Sequence, residues 1–100
     1  MQTHPGDDVL YALADEQRRL VVRYLMNDEE GVTSYRELAD YIASHSAVRP
    51  ERARLRLEHT TLPLLAEAKL LQYDAERERI QYRSDEFAET VLAVVGGECS

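Results

Sequence analysis

The sequence predicts a mainly α-helical domain with one small β-hairpin, and three observations carry that prediction. Between Val9 and Ala66, apolar residues return at three- and four-residue spacing, the mark of helices with one buried face. From Leu71 the period drops to two: Leu71 and Tyr73, then Ile80 and Tyr82, alternate with Gln72, Asp74, Gln81 and Arg83, as in two paired strands. A last helix then carries Phe87, Val91, Leu92, Val94 and Val95 before Gly96-Gly97 ends it. The order helix, helix, helix, hairpin, helix is that of a winged helix-turn-helix. One domain over residues 1–100 is expected, with its core in 9–83 and the terminal helix near 85–95.

Each element has a local cause. Asp7 or Asp8 is placed to cap a short helix carrying Val9, Leu10 and Leu13, and Asp15 to cap a second running through Met26. In the second, Leu20, Val21, Tyr24 and Leu25 form the inward stripe, with Glu16, Arg18, Arg19 and Arg23 largely outside it. Asn27 to Gly31 supplies a turn, and Val32 begins a short extended segment able to pair with the later ribbon. Ser34 and Glu37 make a capping box for a helix whose inward face is Tyr35, Leu38, Ala39 and Ile42. That helix fades near Ser44, and a linker of about seven residues follows. Pro50 suits the first turn of the next helix, since its missing N–H has no partner there, and Glu51 favours the positive end of the helix dipole. Pro63 lies inside the same helix and predicts a kink or break between an arginine-rich and a leucine-rich half. Ser84 or Asp85 caps the last helix. In the helix-to-hairpin stretch, Leu62, Leu65, Leu71, Tyr73, Ile80 and Tyr82 are the expected core.

Composition narrows the classes of function. The longest apolar runs are far too short to span a bilayer, and the opening MQTHPGDD lacks the basic and apolar parts of a signal peptide, so a cytoplasmic location is expected. The single cysteine, Cys99, excludes an internal disulfide and a four-cysteine zinc site. The net charge is −7, and Lys69 is the only lysine among twelve basic residues. Two origins fit that balance: an ordinary acidic bacterial or archaeal protein, or one adapted to high intracellular salt. An acidic total argues against a non-specific DNA coat, which draws on basic charge and counterion release, but leaves room for a local basic face.

Three segments resemble a known group of proteins. ALADEQRRLVVRYLMN (Ala12 to Asn27) resembles the opening helix of small ArsR-like winged-helix repressors, TSYRELADYIA (Thr33 to Ala43) their second helix, and HTTLPLLAEAKLLQYD (His59 to Asp74) their recognition helix running into the wing. The chain also resembles short winged-helix domains abundant in haloarchaea, over roughly residues 9 to 83. The resemblance implies a DNA-binding fold. Two departures stand out: Lys69 occupies the turn before the wing, where the repressors usually have glycine, and the cysteine pairs of the metal-sensing repressors are lacking. Metal sensing of that kind is therefore not implied.

Arg49, Arg52, Arg54 and Arg56 precede His59, Thr60 and Thr61, and a helix places Arg52, Arg56, His59 and Pro63 along one polar stripe. On a recognition helix, arginine can donate two hydrogen bonds to guanine, threonine can touch a thymine methyl and histidine can meet a base edge or phosphate. The plain alternative is a solvated face whose arginines pair with Glu51 and Glu58. On the wing, Arg77 and Arg79 are candidate backbone contacts, opposed by Glu76 and Glu78. Arg49, Arg52, Arg56, His59, Thr60, Arg77 and Arg79 are thus the candidate DNA-binding residues. Phe87, Val91, Leu92, Val94 and Val95 outnumber what one narrow stripe can bury and form a candidate homodimer interface with the opening helices. Core closure by Phe87, Val91 and Val95 is the simpler alternative.

No cofactor or metal motif is present: His4, His45 and His59 are dispersed, there is no glycine-rich phosphate loop, and no nucleophile sits in a local motif. A non-enzymatic role is expected. The leading expectation is a sequence-specific regulator of transcription that binds duplex DNA as a homodimer, with the recognition helix in the major groove and the wing on the backbone. The alternative is a winged-helix module that joins a protein partner and does not bind DNA directly.

Overall fold

The computed structural model describes residues 5–96; His4, Gly97 and Cys99 lie outside the described residues. Helix α1 (Pro5–Ala12) begins ahead of Asp7 and Asp8, so neither is its cap; proline itself takes the first helical position. Val9 and Leu13 are buried as expected, whereas Leu10 is 49% exposed. The last carbonyls of α1 have no partner within the helix. Arg18 supplies one, donating from Nε to the Ala12 carbonyl at 2.6 Å and from Nη2 to that of Tyr11 at 3.2 Å, while Arg19 donates to Leu13 at 2.9 Å.

Helix α2 (Glu16–Asn27) starts where Asp15 Oδ2 accepts the Arg18 N–H at 3.0 Å. It buries Val21, Val22 and Leu25; Leu20 and Tyr24, expected inward, are only half-buried because Val22 fills the inner face. Strand β1 (Val32–Ser34) leads into α3 (Tyr35–His45) through the capping box: Ser34 Oγ accepts the Glu37 N–H at 3.1 Å, and Glu37 Oε1 accepts that of Ser34 at 3.4 Å. Tyr35, Leu38, Ala39 and Ile42 are buried. This helix runs to His45, and the linker is residues 46–49, shorter than expected. Ser44 and Ser46 hydroxyls donate to the Tyr41 and Ile42 carbonyls at 2.8 and 2.6 Å, and the His45 ring stacks on Tyr41 at 4.1 Å, which carries the helix through a polar run.

The next helix is one path in three parts: α4 (Pro50–Arg56), a π-helical turn (Leu57–Thr61) and α5 (Leu62–Glu67). The expected break at Pro63 takes the form of this wide turn, in which the Leu62 N–H donates to the Leu57 carbonyl. Residues five apart differ by roughly 140° on an ideal α-helix. The extra residue per turn brings Leu57 and Leu62 back to one face, and both are fully buried.

Helix α5 ends in a Schellman motif, the Leu70 N–H donating to Leu65 and the Lys69 N–H to Ala66, each at 3.0 Å. Lys69 stands in the left-handed region at φ 64°, where glycine is usual. Strands β2 (Leu71–Asp74) and β3 (Arg79–Tyr82) form the hairpin, and β1 adds to β3, giving an antiparallel three-stranded sheet in the order β1-β3-β2. Thr33 is opposite Ile80, and Ile80 opposite Tyr73. Leu71 and Ile80 are buried, but Tyr73, expected in the core, is 38% exposed: it lies on the edge strand and leans on the Tyr35 ring at 6.5 Å. The architecture is thus mainly α with a small antiparallel sheet, a winged helix-turn-helix.

Helix α6 (Glu86–Gly96) is capped by Asp85, whose Oδ1 accepts the Ala88 N–H at 2.9 Å. Ala88 and Leu92 close the core, with Val91 packed partly against it. Two polar bonds fix this helix: Arg23 donates to the Leu92 carbonyl at 3.2 Å, and the Tyr82 hydroxyl to Glu89 at 2.8 Å.

Two predictions follow from these joints. Replacing Lys69→Gly removes the left-handed penalty, partly offset by the extra chain entropy of glycine, and should stabilise the fold by up to about 1 kcal/mol, raising the melting midpoint by several degrees. An unchanged or lowered midpoint would contradict strain at Lys69. Burial, then the bond to Glu89, raises the Tyr82 hydroxyl above the ordinary tyrosine range. Unfolded tyrosine loses its proton near pH ~10, so above that pH the folded state holds more protons and stability falls as pH rises. Tyr82→Phe should flatten that alkaline fall in thermal melts, without abolishing it, because burial raises Tyr35 as well.

Candidate nucleic-acid interface

Helix α4 and the π-turn present one outward face. Ala53, Leu57 and Thr61 point inward, which turns Arg52, Leu55, Arg56, His59 and Thr60 outward, all five exposed. With Glu51 they line one open, shallow depression. Arg49, just before Pro50, is exposed at the start of the helix and its side chain makes no cap bond. The structure therefore brings together Arg52, Arg56, His59 and Thr60 on one surface, with Arg49 at its end.

Arg56 is not wholly free: its Nη2 lies 3.7 Å from Asp15 Oδ1, the carboxylate whose other oxygen caps α2. Arg52 makes no ion pair among the described residues. Leu55 was missed by a reading confined to polar residues. The signal was present: it falls roughly 200° around the helix from Ala53 and 200° from Leu57, opposite the buried line. It is 60% exposed.

Arg54 does something other than its neighbours. Its Nε donates to Glu58 at 2.7 Å, its Nη2 pairs with Glu78 at the hairpin tip, and its guanidinium lies over the Tyr35 ring at 6.0 Å. The Glu58 hydrogen bond raises Arg54 above the ordinary arginine range, against a partial cost of desolvation, with Glu78 adding to the rise. Burial, then Tyr73 and the carboxylates of Glu58, Glu78 and Asp74, raises the Tyr35 hydroxyl. Glu58 was legible in sequence as a partner four residues on; Glu78, a wing residue, was not.

The wing turn is residues 75–78. Asp74 Oδ1 accepts the N–H groups of Glu76 and Arg77 at 3.0 and 3.3 Å, and Glu78 takes a left-handed φ of 54°. Arg77 stays in solvent, with a long pair of 3.9 Å to Asp74. Arg79 is on β3 opposite both Ser34 and Asp74, on the outer face of the sheet. The two wing arginines are thus exposed, and one of the two glutamates expected to oppose them, Glu78, is paired with Arg54.

The candidate dimer face needs correction. Leu92 is 3% exposed and belongs to the core, and Val91 is half-buried against it. Phe87, Val94 and Val95 remain exposed, as do Leu10 and Tyr11 on helix α1, which packs against α6. The core is closed by Ala88 and Leu92 in place of Phe87 and Val95: Ala88 and Leu92, four residues apart, share the buried face of the helix, and Phe87 and Val95 lie off it.

Among the described residues, no cluster of His, Cys, Asp or Glu is arranged to hold a metal ion, and no helix is long and apolar enough to cross a membrane. A family model for a domain of unknown function, DUF7344, matches residues 10–81. The chain belongs to the DUF7344 family. No curated protein and no solved structure matches it. The DUF7344 span runs from α1 into β3, so it takes in the α4 face and the wing and stops before α6.

Proposed function

We propose that this DUF7344 chain is a non-enzymatic, sequence-specific regulator of transcription that binds duplex DNA as a homodimer in the cytoplasm. The observation that carries the reading is the exposed face of Arg52, His59 and Thr60 on α4 and the π-turn, the second helix of a helix-turn-helix that begins with α3, with a wing beside it. An α-helix fits the major groove, where arginine reads guanine and where threonine and leucine can meet a thymine methyl. Arg77 and Arg79 then meet the phosphate backbone, and the pairing of Glu78 with Arg54 offsets one source of repulsion.

The net charge of −7 limits long-range attraction to DNA. In molar salt, the setting that the arginine-rich, lysine-poor composition and the haloarchaeal resemblance favour, the Debye length is about 3 Å. Repulsion from the acidic surface then fades along with attraction, and affinity rests on direct contacts. Phe87, Val94 and Val95 on α6 and Leu10 and Tyr11 on α1 supply exposed apolar side chains for a two-fold partner. The same side chains and the acidic charge support a second reading, a module that joins another protein and leaves DNA alone.

Selection from a random duplex pool at moderate and molar salt should enrich one motif. On that motif, Arg52→Ala combined with His59→Ala should weaken binding by at least about tenfold without lowering the melting midpoint, since each good base contact is worth about 1–3 kcal/mol. No enrichment at either salt, together with a stoichiometric protein partner, would favour the second reading. Light scattering should find a dimer that Tyr11→Asp with Val94→Asp converts to a monomer; a monomeric parent chain would remove the interface.

A further inference from the structure

We infer that Arg54 is a positioning residue, which holds the wing against the recognition helix and makes no contact with DNA itself. The inference rests on the DNA-binding reading for its purpose, but its structural content stands apart from it. Arg54 is the only arginine of the α4 cluster that is half-buried, and three partners from three elements converge on it. Glu58 fixes it from its own helical path, Tyr35 from the start of α3, and Glu78 from the wing tip. The wing closes the same junction through its backbone, where the Tyr35 N–H donates to the Glu78 carbonyl at 3.0 Å. Glu78 thus meets the helical body twice, once by its carboxylate and once by its carbonyl.

A guanidinium can serve two carboxylates at once and stack on a ring, which an ammonium on a flexible stem does poorly. With Glu58 and Glu78 both engaged, the Arg54 donors face the junction and not the open depression, whose lining omits Arg54. Its contribution to binding is then geometric: it sets the spacing between the base-reading face and Arg77 and Arg79.

This assignment gives an unusual sign. Removing a negative charge from a DNA-binding surface ordinarily tightens binding. Glu78→Gln should instead weaken it, because the wing is released. Arg54→Gln should lower the salt slope by about two phosphate contacts, those of Arg77 and Arg79, each contact counting roughly 0.9 in the slope. Base preference should be unchanged in both variants, and Arg54→Lys should restore little. Without DNA, the Tyr35 amide should exchange its hydrogen faster in both variants, by about tenfold for the loss of one charged hydrogen bond.

Tighter binding by Glu78→Gln, or a slope lowered by a single contact in Arg54→Gln, would make Arg54 an ordinary phosphate contact and overturn the assignment. Tyr35 exchange equal to the parent's in both variants would overturn it as well. If the parent chain binds no DNA at either salt, the DNA-binding reading falls, and the Tyr35 exchange alone decides whether Arg54 holds the wing.

Discussion

The fold depends on keeping two stretches of one long helix in phase. Ala53 and Leu57, up to the start of the π-turn, and Leu62 and Leu65, beyond it, all have to reach the same core. A regular α-helix would rotate the second pair away from the first, since five residues do not complete a whole number of turns. The π-turn absorbs the mismatch and does so immediately before Pro63, which has no N–H to give to a regular helical ladder. Once the apolar line is continuous, the outer face is continuous too, and Arg52, Arg56, His59 and Thr60 share it. The position of every candidate DNA contact on this helix is therefore a by-product of how the leucines are buried.

Arginine has several unrelated roles in the rest of the molecule. Arg18 and Arg19 satisfy carbonyls at the end of α1, Arg23 holds α6, and Arg54 bridges helix and wing. These uses share a cause: a planar group with several donors reaches more than one acceptor. Part of the positive charge in this acidic chain is thus architectural. Arg36, Arg49, Arg52, Lys69, Arg79 and Arg83 are exposed and make no ion pair among the described residues, so the free cations run from α3 and α4 to the hairpin and the turns at its base.

Much of the fold was legible because its signals are local. Asp15, the Ser34–Glu37 box, Pro50 and the alternation of Leu71 and Ile80 each act within a few residues, and each holds in the structure. What escaped depends on the third dimension. The edge position of β2 exposes Tyr73 despite its correct period, and the packing of α6 exchanges Leu92 from interface to core. The candidate site divides in the same way. A helical wheel finds Arg52, His59 and Thr60, but no periodicity reveals that Arg56 leans on Asp15 or that Arg54 meets Glu78.

The sheet order has a consequence for assembly. Strand β3 pairs on one side with β2, its immediate neighbour in sequence, and on the other with β1, which precedes α3, α4, the π-turn and α5. The hairpin can close as a local event, whereas the β1 pairing closes a loop that contains most of the helical core, and such distant contacts carry the larger entropic cost. A hairpin closed by itself lacks its third strand, and the Tyr35 to Glu78 backbone bond, which follows directly from β1, depends on the same long-range closure. Only the finished molecule presents the helix face and the wing in fixed relation, so a partly folded chain lacks the combined surface.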